Sequence, residues 1–280
     1  MPEFTAALVK ELRDATNLGM MECKRALVEA DGDKDKAVRI LRERGLAVAQ
    51  KKASRAAQQG IVASASDPGS GVFSLVEINC ETDFAARNEA FVALASELAT
   101  RACATDASLA ETAAQEITDL VARIGENIVV RRNVRYTPSP SGAVGSYVHL
   151  GGKVGVLVEL LSDSPESLAH PLLQEALKDV AMQIAASSPI AVKPSDLPDD
   201  LLKSEREVYA KQVQDKPPQV VEKIVDGKMT KFYTQTCLLN QPFIKEPKQS
   251  VSDYLALQSK ELGGNLTVSR FVRYQLGEIV

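Results

Sequence analysis

A ten-residue pattern occurs twice in this chain, and it restricts the fold more than any other feature. Residues 127–136 read Asn-Ile-Val-Val-Arg-Arg-Asn-Val-Arg-Tyr, and residues 265–274 read Asn-Leu-Thr-Val-Ser-Arg-Phe-Val-Arg-Tyr. Asn, Val, Arg, Val, Arg and Tyr fall in register, with Ile128 matched by Leu266. Both copies alternate with period 2, as a strand with one buried face does. Upstream of each copy, Gly60–Ile78 and Gly142–Leu161 suggest a β-hairpin, with turns around Asp67–Gly71 and at Gly151-Gly152. A helical pattern follows each hairpin: Phe91, Leu94, Ala95 and Leu98 in the first, and Leu173, Ala176, Leu177, Val180, Ala181 and Ile184 in the second. The expected fold is α+β, with two related subdomains over residues 56–140 and 141–280. Each is a small antiparallel sheet covered by helices on one face.

Two segments lie outside the repeat. Residues 1–55 predict a three-helix unit with a linker. Its apolar faces are Leu8, Val9 and Leu12, then Met20, Cys23, Ala26, Leu27 and Ala30, then Ala37, Val38 and Leu41. Breaks are expected at Thr16-Asn17-Leu18-Gly19 and at Asp31-Gly32-Asp33, where Asp33 caps the next helix. Gly45 is expected to close the third helix, and the polar, basic stretch Gln50–Ala56 to form a linker or linker helix. The second half also carries an insertion over about 196–234. Leu201, Leu202, Val208, Tyr209 and Val213 recur at helical spacing, as do Val220, Val221, Ile224, Val225 and Met229, and Lys216-Pro217-Pro218 separates the two patterns. Two arrangements fit this pattern: an antiparallel helical arm, or two helices lying flat on the core.

Composition narrows the function. Of 280 residues, 45% are hydrophobic and 25% charged, with a net charge of −4, which argues against nucleic acid as the main partner. Arg131, Arg132 and Arg135 lack the interleaved aromatics of a base-stacking surface. Met1-Pro2-Glu3-Phe4 does not read as a secretory leader, and no apolar run approaches the ~20 residues of a membrane span. Four cysteines, none in a C-x-x-C pair, fit reduced thiols in a cytoplasmic protein. There are two histidines, and no phosphate loop, zinc helix, nucleophile elbow or dinucleotide fingerprint. No cofactor or metal site is expected. A Cys80/His149 thiol dyad is the one enzymatic alternative, and nothing in the sequence acidifies Cys80.

The segment Asn79-Cys80-Glu81-Thr82-Asp83-Phe84-Ala85-Ala86-Arg87-Asn88 places an aromatic ring beside a carboxylate where a strand hands over to a helix. Phe84 either caps the local core or reaches outward from the connection. Residues alone lead to a multi-domain, non-enzymatic protein with several candidate contact surfaces.

Three segments together resemble the bacterial elongation factor Ts family, the guanine nucleotide exchange factors of elongation factor Tu. They are Gly19-Met20-Met21-Glu22-Cys23-Lys24-Arg25-Ala26-Leu27, Asn79–Phe84, and Ile124-Gly125-Glu126-Asn127-Ile128 with Arg131-Arg132 after it. Gly145-Ser146-Tyr147-Val148-His149 and Gln241-Pro242-Phe243 also match, and the order holds from about residue 3 to about 277. The resemblance implies a ubiquitin-associated-like N-terminal domain, a core of two related subdomains, and a helical hairpin, the family's coiled-coil or dimerisation module, inserted in the second. It implies that Thr82, Asp83, Phe84 and Ala85 enter the GTPase domain of elongation factor Tu near its magnesium site, with Phe84 as the wedge. Met20, Met21, Ile124, Gly125, His149 and Ile244 match further contacts. Met20, Met21, His149 and Ile244 also have plain readings as packing or hairpin residues. Ala85 stands where relatives often have Val, trimming the wedge. Some relatives extend past the equivalent of Gly277–Val280 with another helical module, whose contacts are not expected here. The alternative from another class is a binding adaptor that uses the N-terminal helices without exchanging nucleotide.

Overall fold

The computed structural model describes residues 5–16 and 18–278. Met1–Phe4, read above for a leader, Asn17 in the first predicted break, and Ile279-Val280 lie outside the described residues. The chain opens with α1 (Ala6–Thr16), α2 (Met20–Glu29) and α3 (Lys34–Lys52). These helices close around Val9, Leu12, Cys23, Ala26, Leu27, Ala30, Ala37 and Leu41. Asp33 caps α3 by accepting from the Lys36 amide at 2.9 Å, and Gly32 before it takes φ +86°.

Two expectations about these helices are corrected. Gly45 does not end α3, which runs on to Lys52 and absorbs part of the expected linker. Gly45 is buried in mid-helix, where a Cβ would lie 3.5 Å from the Ala122 methyl, so its smallness serves helix-to-helix approach. Met20 does not share the buried face of α2. It is 50% exposed at the start of the helix, and the buried face begins one turn later with Cys23.

The repeat then unfolds as predicted. The first half comprises β1 (Gln59–Asp67), β2 (Val72–Cys80), α4 (Asp83–Ala86), α5 (Glu89–Ala102), α6 (Leu109–Thr112), α7 (Ala114–Ile124) and β3 (Val129–Tyr136). The second begins with β4 (Gly142–His149), β5 (Val154–Ser162), α8 (Pro165–Ala169) and α9 (Pro171–Ser187). It continues through α10 (Asp199–Lys211), α11 (Pro218–Thr236), β6 (Pro242–Phe243), β7 (Glu246–Ser250), α12 (Val251–Leu262) and β8 (Leu266–Gln275). The sheets are antiparallel, ordered β1-β2-β3 and β4-β5-β8, with β6-β7 as a small ribbon.

The two sheets pack face to face through Val62, Leu75 and Tyr136 from one and Val144, Leu157 and Tyr274 from the other. Helices cover the outer faces. Phe91, Leu94, Ala95 and Leu98 of α5 close the first, and α9 with α12 closes the second around Leu173, Leu177, Val180 and Tyr254. Close approach of the sheets depends on Gly155, where a Cβ would fall 2.5 Å from Val62 Cγ1.

Each central strand buries one glutamate, and each glutamate faces an arginine of the repeated pattern. Glu77 pairs with Arg132 and Glu159 with Arg270, and in both sheets the register shifts directly after the glutamate. Arg132 Nε donates to Glu77 at 2.7 Å, and Arg270 Nε to Glu159 at 2.8 Å. Each guanidinium also crosses to the other half: Arg132 lies 4.0 Å from the Tyr274 ring and Arg270 4.2 Å from the Tyr136 ring. The repeated Arg and Tyr thus form two reciprocal clasps that bind the halves together. Arg131 and Arg135 are paired as well, with Glu77 and Asp106.

The insertion is a helical hairpin. No side chain of α10 is buried, and Arg206 reaches Asp226 of α11 at 2.7 Å. Its root seats Leu201, Leu202, Phe232 and Tyr233 around Ala191, Leu197 and Cys237. Among the described residues no helix is long and apolar enough to cross a membrane.

Candidate partner-docking site

The connection after β2 is short because both of its ends are fixed. Thr82 takes extended geometry (φ −124°, ψ 158°), and its hydroxyl accepts from the Ala85 amide at 3.2 Å, capping the single turn of α4. Ala85 and Ala86 point into the core at 5% and 6% exposure, so the turn throws Phe84 outward. Phe84 is 80% exposed, more than any other large apolar side chain among the described residues. Asp83 beside it pairs with Arg87 at 3.0 Å. Ala85 is therefore not part of the projecting tip; it anchors the tip from beneath.

Beneath the prong lies a clasp of two carboxylates. Glu126 accepts from the Glu81 and Thr82 amides at 3.1 and 2.9 Å through Oε2, and from the Thr82 hydroxyl at 2.6 Å through Oε1. Glu81 reciprocates by accepting from the Asn127 amide at 2.7 Å. That amide, together with the nearby Arg55 guanidinium, holds the Glu81 carboxyl below its ordinary range despite some opposing desolvation. Asn127 Nδ2 donates to the Arg55 carbonyl at 2.8 Å, and Lys52 Nζ donates to the Gly125 carbonyl. The end of α3 is thus tied to the loop that carries Ile124 and Gly125. Glu81, Glu126 and Asn127 stand within the resembling segments, and the resemblance assigns them no role. Extending the repeat one residue upstream would have exposed Glu126, because its counterpart is Gly264.

Register places other candidates at the same end of the paired sheets. Gln59 of β1 faces Cys80 of β2, the Val62 amide donates to the Gly152 carbonyl at 2.7 Å, and Lys153 Nζ donates to Gln59 at 3.3 Å. The β4–β5 tip with exposed His149 therefore lies beside the strand ends that lead into the prong. His149 stacks on Tyr147, and its Nδ1 shares a hydrogen bond with the Tyr147 hydroxyl at 2.8 Å, which fixes the ring. Gly125 ends α7 with φ +79°, and Ile124 is half-buried beside it. Met20 and Met21 are 50% and 64% exposed on α2, so neither packs in the core. Ile244 is 40% exposed on the β6–β7 turn, anchored through its amide to Gln183 of α9 at 2.8 Å. No hydrogen bond or ion pair of the described residues ties it to the prong.

Cys80 is fully buried, and its thiol donates to the Thr82 carbonyl at 3.2 Å. Desolvation, then the Glu126 charge, pushes it up to about 11, so the thiol stays protonated at neutral pH. With His149 held by Tyr147, the dyad considered above does not form.

A duplicated α+β core exposes an aromatic prong on a capped turn, and comparison with known proteins identifies the class as a translation elongation factor. The family model "Elongation factor TS" matches residues 81–278. Elongation factor Ts of Nitratidesulfovibrio vulgaris is 45% identical over 277 residues, covering 98% of this chain and 96% of that protein. Those of Symbiobacterium thermophilum and Clostridium perfringens are 44% and 42% identical, covering 99% and 98% of this chain and 93% of each relative. The chain belongs to the elongation factor Ts family.

Proposed function

We propose that the protein is the guanine nucleotide exchange factor of elongation factor Tu and itself catalyses no chemical reaction. In this reading Phe84 and Asp83 enter the GTPase domain near its magnesium site, carried by Thr82 and Ala85. Met20, Met21, Ile124, Gly125, His149 and Ile244 form the surrounding contact surface. Mg²⁺ demands near-ideal octahedral geometry, so a small displacement of its supports weakens its hold on the nucleotide phosphates. The phosphates lose their countercharge, and GDP leaves faster. Seating a ring as large as Phe84 in an apolar pocket would contribute about 2 kcal/mol.

The observation that carries this reading is the 80% exposure of Phe84 on a capped turn whose other apolar residues are buried. Family membership adds support, since the relatives are elongation factors Ts. Cytoplasmic location, the absence of direct nucleic-acid or membrane contacts, and pairing of two copies through the α10–α11 hairpin complete the proposal. Linkage makes it testable: a factor that lowers GDP affinity binds the GDP-loaded GTPase more weakly than the empty one by the same factor. Added GDP should dissociate the complex with stripped elongation factor Tu. Undiminished binding in saturating GDP would favour a simple adaptor.

A further inference from the structure

The two halves allow an internal control, because each has a strand-to-helix turn built on the same plan. In the first, Glu81 accepts from the Asn127 amide at 2.7 Å; in the second, Asp163 accepts from the Asn265 amide at 2.7 Å. Thr82 caps α4 and Ser164 caps α8 in the same way. The residue before each asparagine breaks the equivalence. Glu126 fills the space under the first turn with a carboxylate that accepts three hydrogen bonds. Its counterpart Gly264 leaves no room for a side chain, since a Cβ there would lie 2.4 Å from Ser167 Oγ and 2.6 Å from Ser164 Cβ. Such a turn therefore closes without a carboxylate beneath it. Only the half that carries the exposed ring has one.

We propose that Glu126 is a positioning residue for the prong: its carboxylate fixes the Glu81–Thr82 backbone and the Thr82 hydroxyl, so that Phe84 is presented in one orientation before any partner arrives. The proposal rests on the exchange reading for its functional consequence, though not for its structural one. An 80% exposed ring on a single helical turn has little tertiary packing of its own to order it. Ordering it in advance removes a cost that would otherwise fall on binding. Oε1 also orients the Thr82 hydroxyl so that its lone pair faces the Ala85 amide, coupling the clasp to the helix cap.

The chain contains no tryptophan, so Phe84→Trp installs a single indole at the tip, which can be excited selectively over the six tyrosines. Time-resolved anisotropy of that variant should show the ring moving with the whole molecule. Adding Glu126→Ala should introduce a nanosecond component while thermal unfolding stays cooperative, with only a modest fall in melting temperature. Catalysed GDP release should fall roughly tenfold in Glu126→Ala, the usual scale for hydrogen bonds to a charged acceptor. In the Phe84→Ala background the same change should add little, because the residue it positions is gone. Glu126→Gln keeps the volume and one acceptor, should give an intermediate loss, and carries the test if the alanine variant does not fold. Unchanged anisotropy in both variants, or a tenfold loss that persists without Phe84, would overturn the proposal. If the unmodified chain fails to accelerate release, the exchange reading falls, and anisotropy alone judges the clasp.

Discussion

After β2 the chain enters α4 through Glu81 and Thr82; after β5 it enters α8 through Asp163 and Ser164. Both turns are capped, and both are tied to an asparagine amide at the head of the repeated pattern. The second turn then faces inward for its support: Ser167 is buried and its hydroxyl donates to the Leu262 carbonyl at 2.9 Å, while exposed Glu166, in the place of Phe84, accepts from Ser164. The first turn puts a phenylalanine ring where the second has that solvated carboxylate. A duplicated scaffold separates two demands. Strand register, buried glutamate and crossed Arg–Tyr pairs are kept twice because they hold the halves together. The side chains on the turns are free to differ, and the turn proposed above to dock on the partner is the one that exposes an apolar ring.

The clasps between the halves offer the largest expected effect. Arg132→Met leaves Glu77 buried without its main partner, and Arg270→Met does the same to Glu159, so each should cost about 3 kcal/mol in urea unfolding. A loss confined to one variant would break the equivalence of the halves. Gly155→Ala, which drives a methyl into Val62 across the sheet interface, should cost about 2 kcal/mol by overpacking. A neutral result would mean that the sheets can separate. Removing the caps sharpens the comparison further: Thr82→Ala and Ser164→Ala should each lose about 1 kcal/mol, but only Thr82→Ala should slow GDP release.

Acid supplies a smaller effect. The Glu81 carboxyl is held low by the Asn127 amide and Arg55, so its folded-state pKa lies below its unfolded one. Its contribution is complete above the ordinary carboxylate range and is lost as pH falls through the depressed value. Glu81→Gln should flatten the acid limb of a melting-temperature profile, and an unaltered limb would show that the clasp does not titrate with folding. At the small end, Cys80→Ser should leave GDP release within about twofold of the parent, because the thiol is buried and protonated.

Much of this architecture was legible in period and punctuation. The Asn127–Tyr136 and Asn265–Tyr274 copies announced two equivalent strands, and the glycine turns announced the hairpins. Tertiary partners were harder to read. Gly45 looked like a helix stop because sequence does not reveal that Ala122 packs against it. Met20 fits the apolar face of α2 by spacing, yet it is the first residue of the helix, and the packed face starts at Cys23. The role of Glu126 is hidden for a related reason: an acidic residue after a helix-ending glycine is ordinary until Thr82, over forty residues earlier in the chain, is seen to bond to it. That Phe84 turns outward was left open by the sequence, and Ala85 and Ala86 filling the core beneath it decided the matter.

The most direct measurement is release of labelled GDP from purified elongation factor Tu, with no addition, with this protein, and with its Phe84→Ala variant. The parent should accelerate release strongly, and the variant, equally well folded, should lose at least tenfold of that acceleration, as expected for a ring contributing about 2 kcal/mol at the contact. A variant as active as the parent would contradict the wedge, and a parent without effect would contradict exchange altogether.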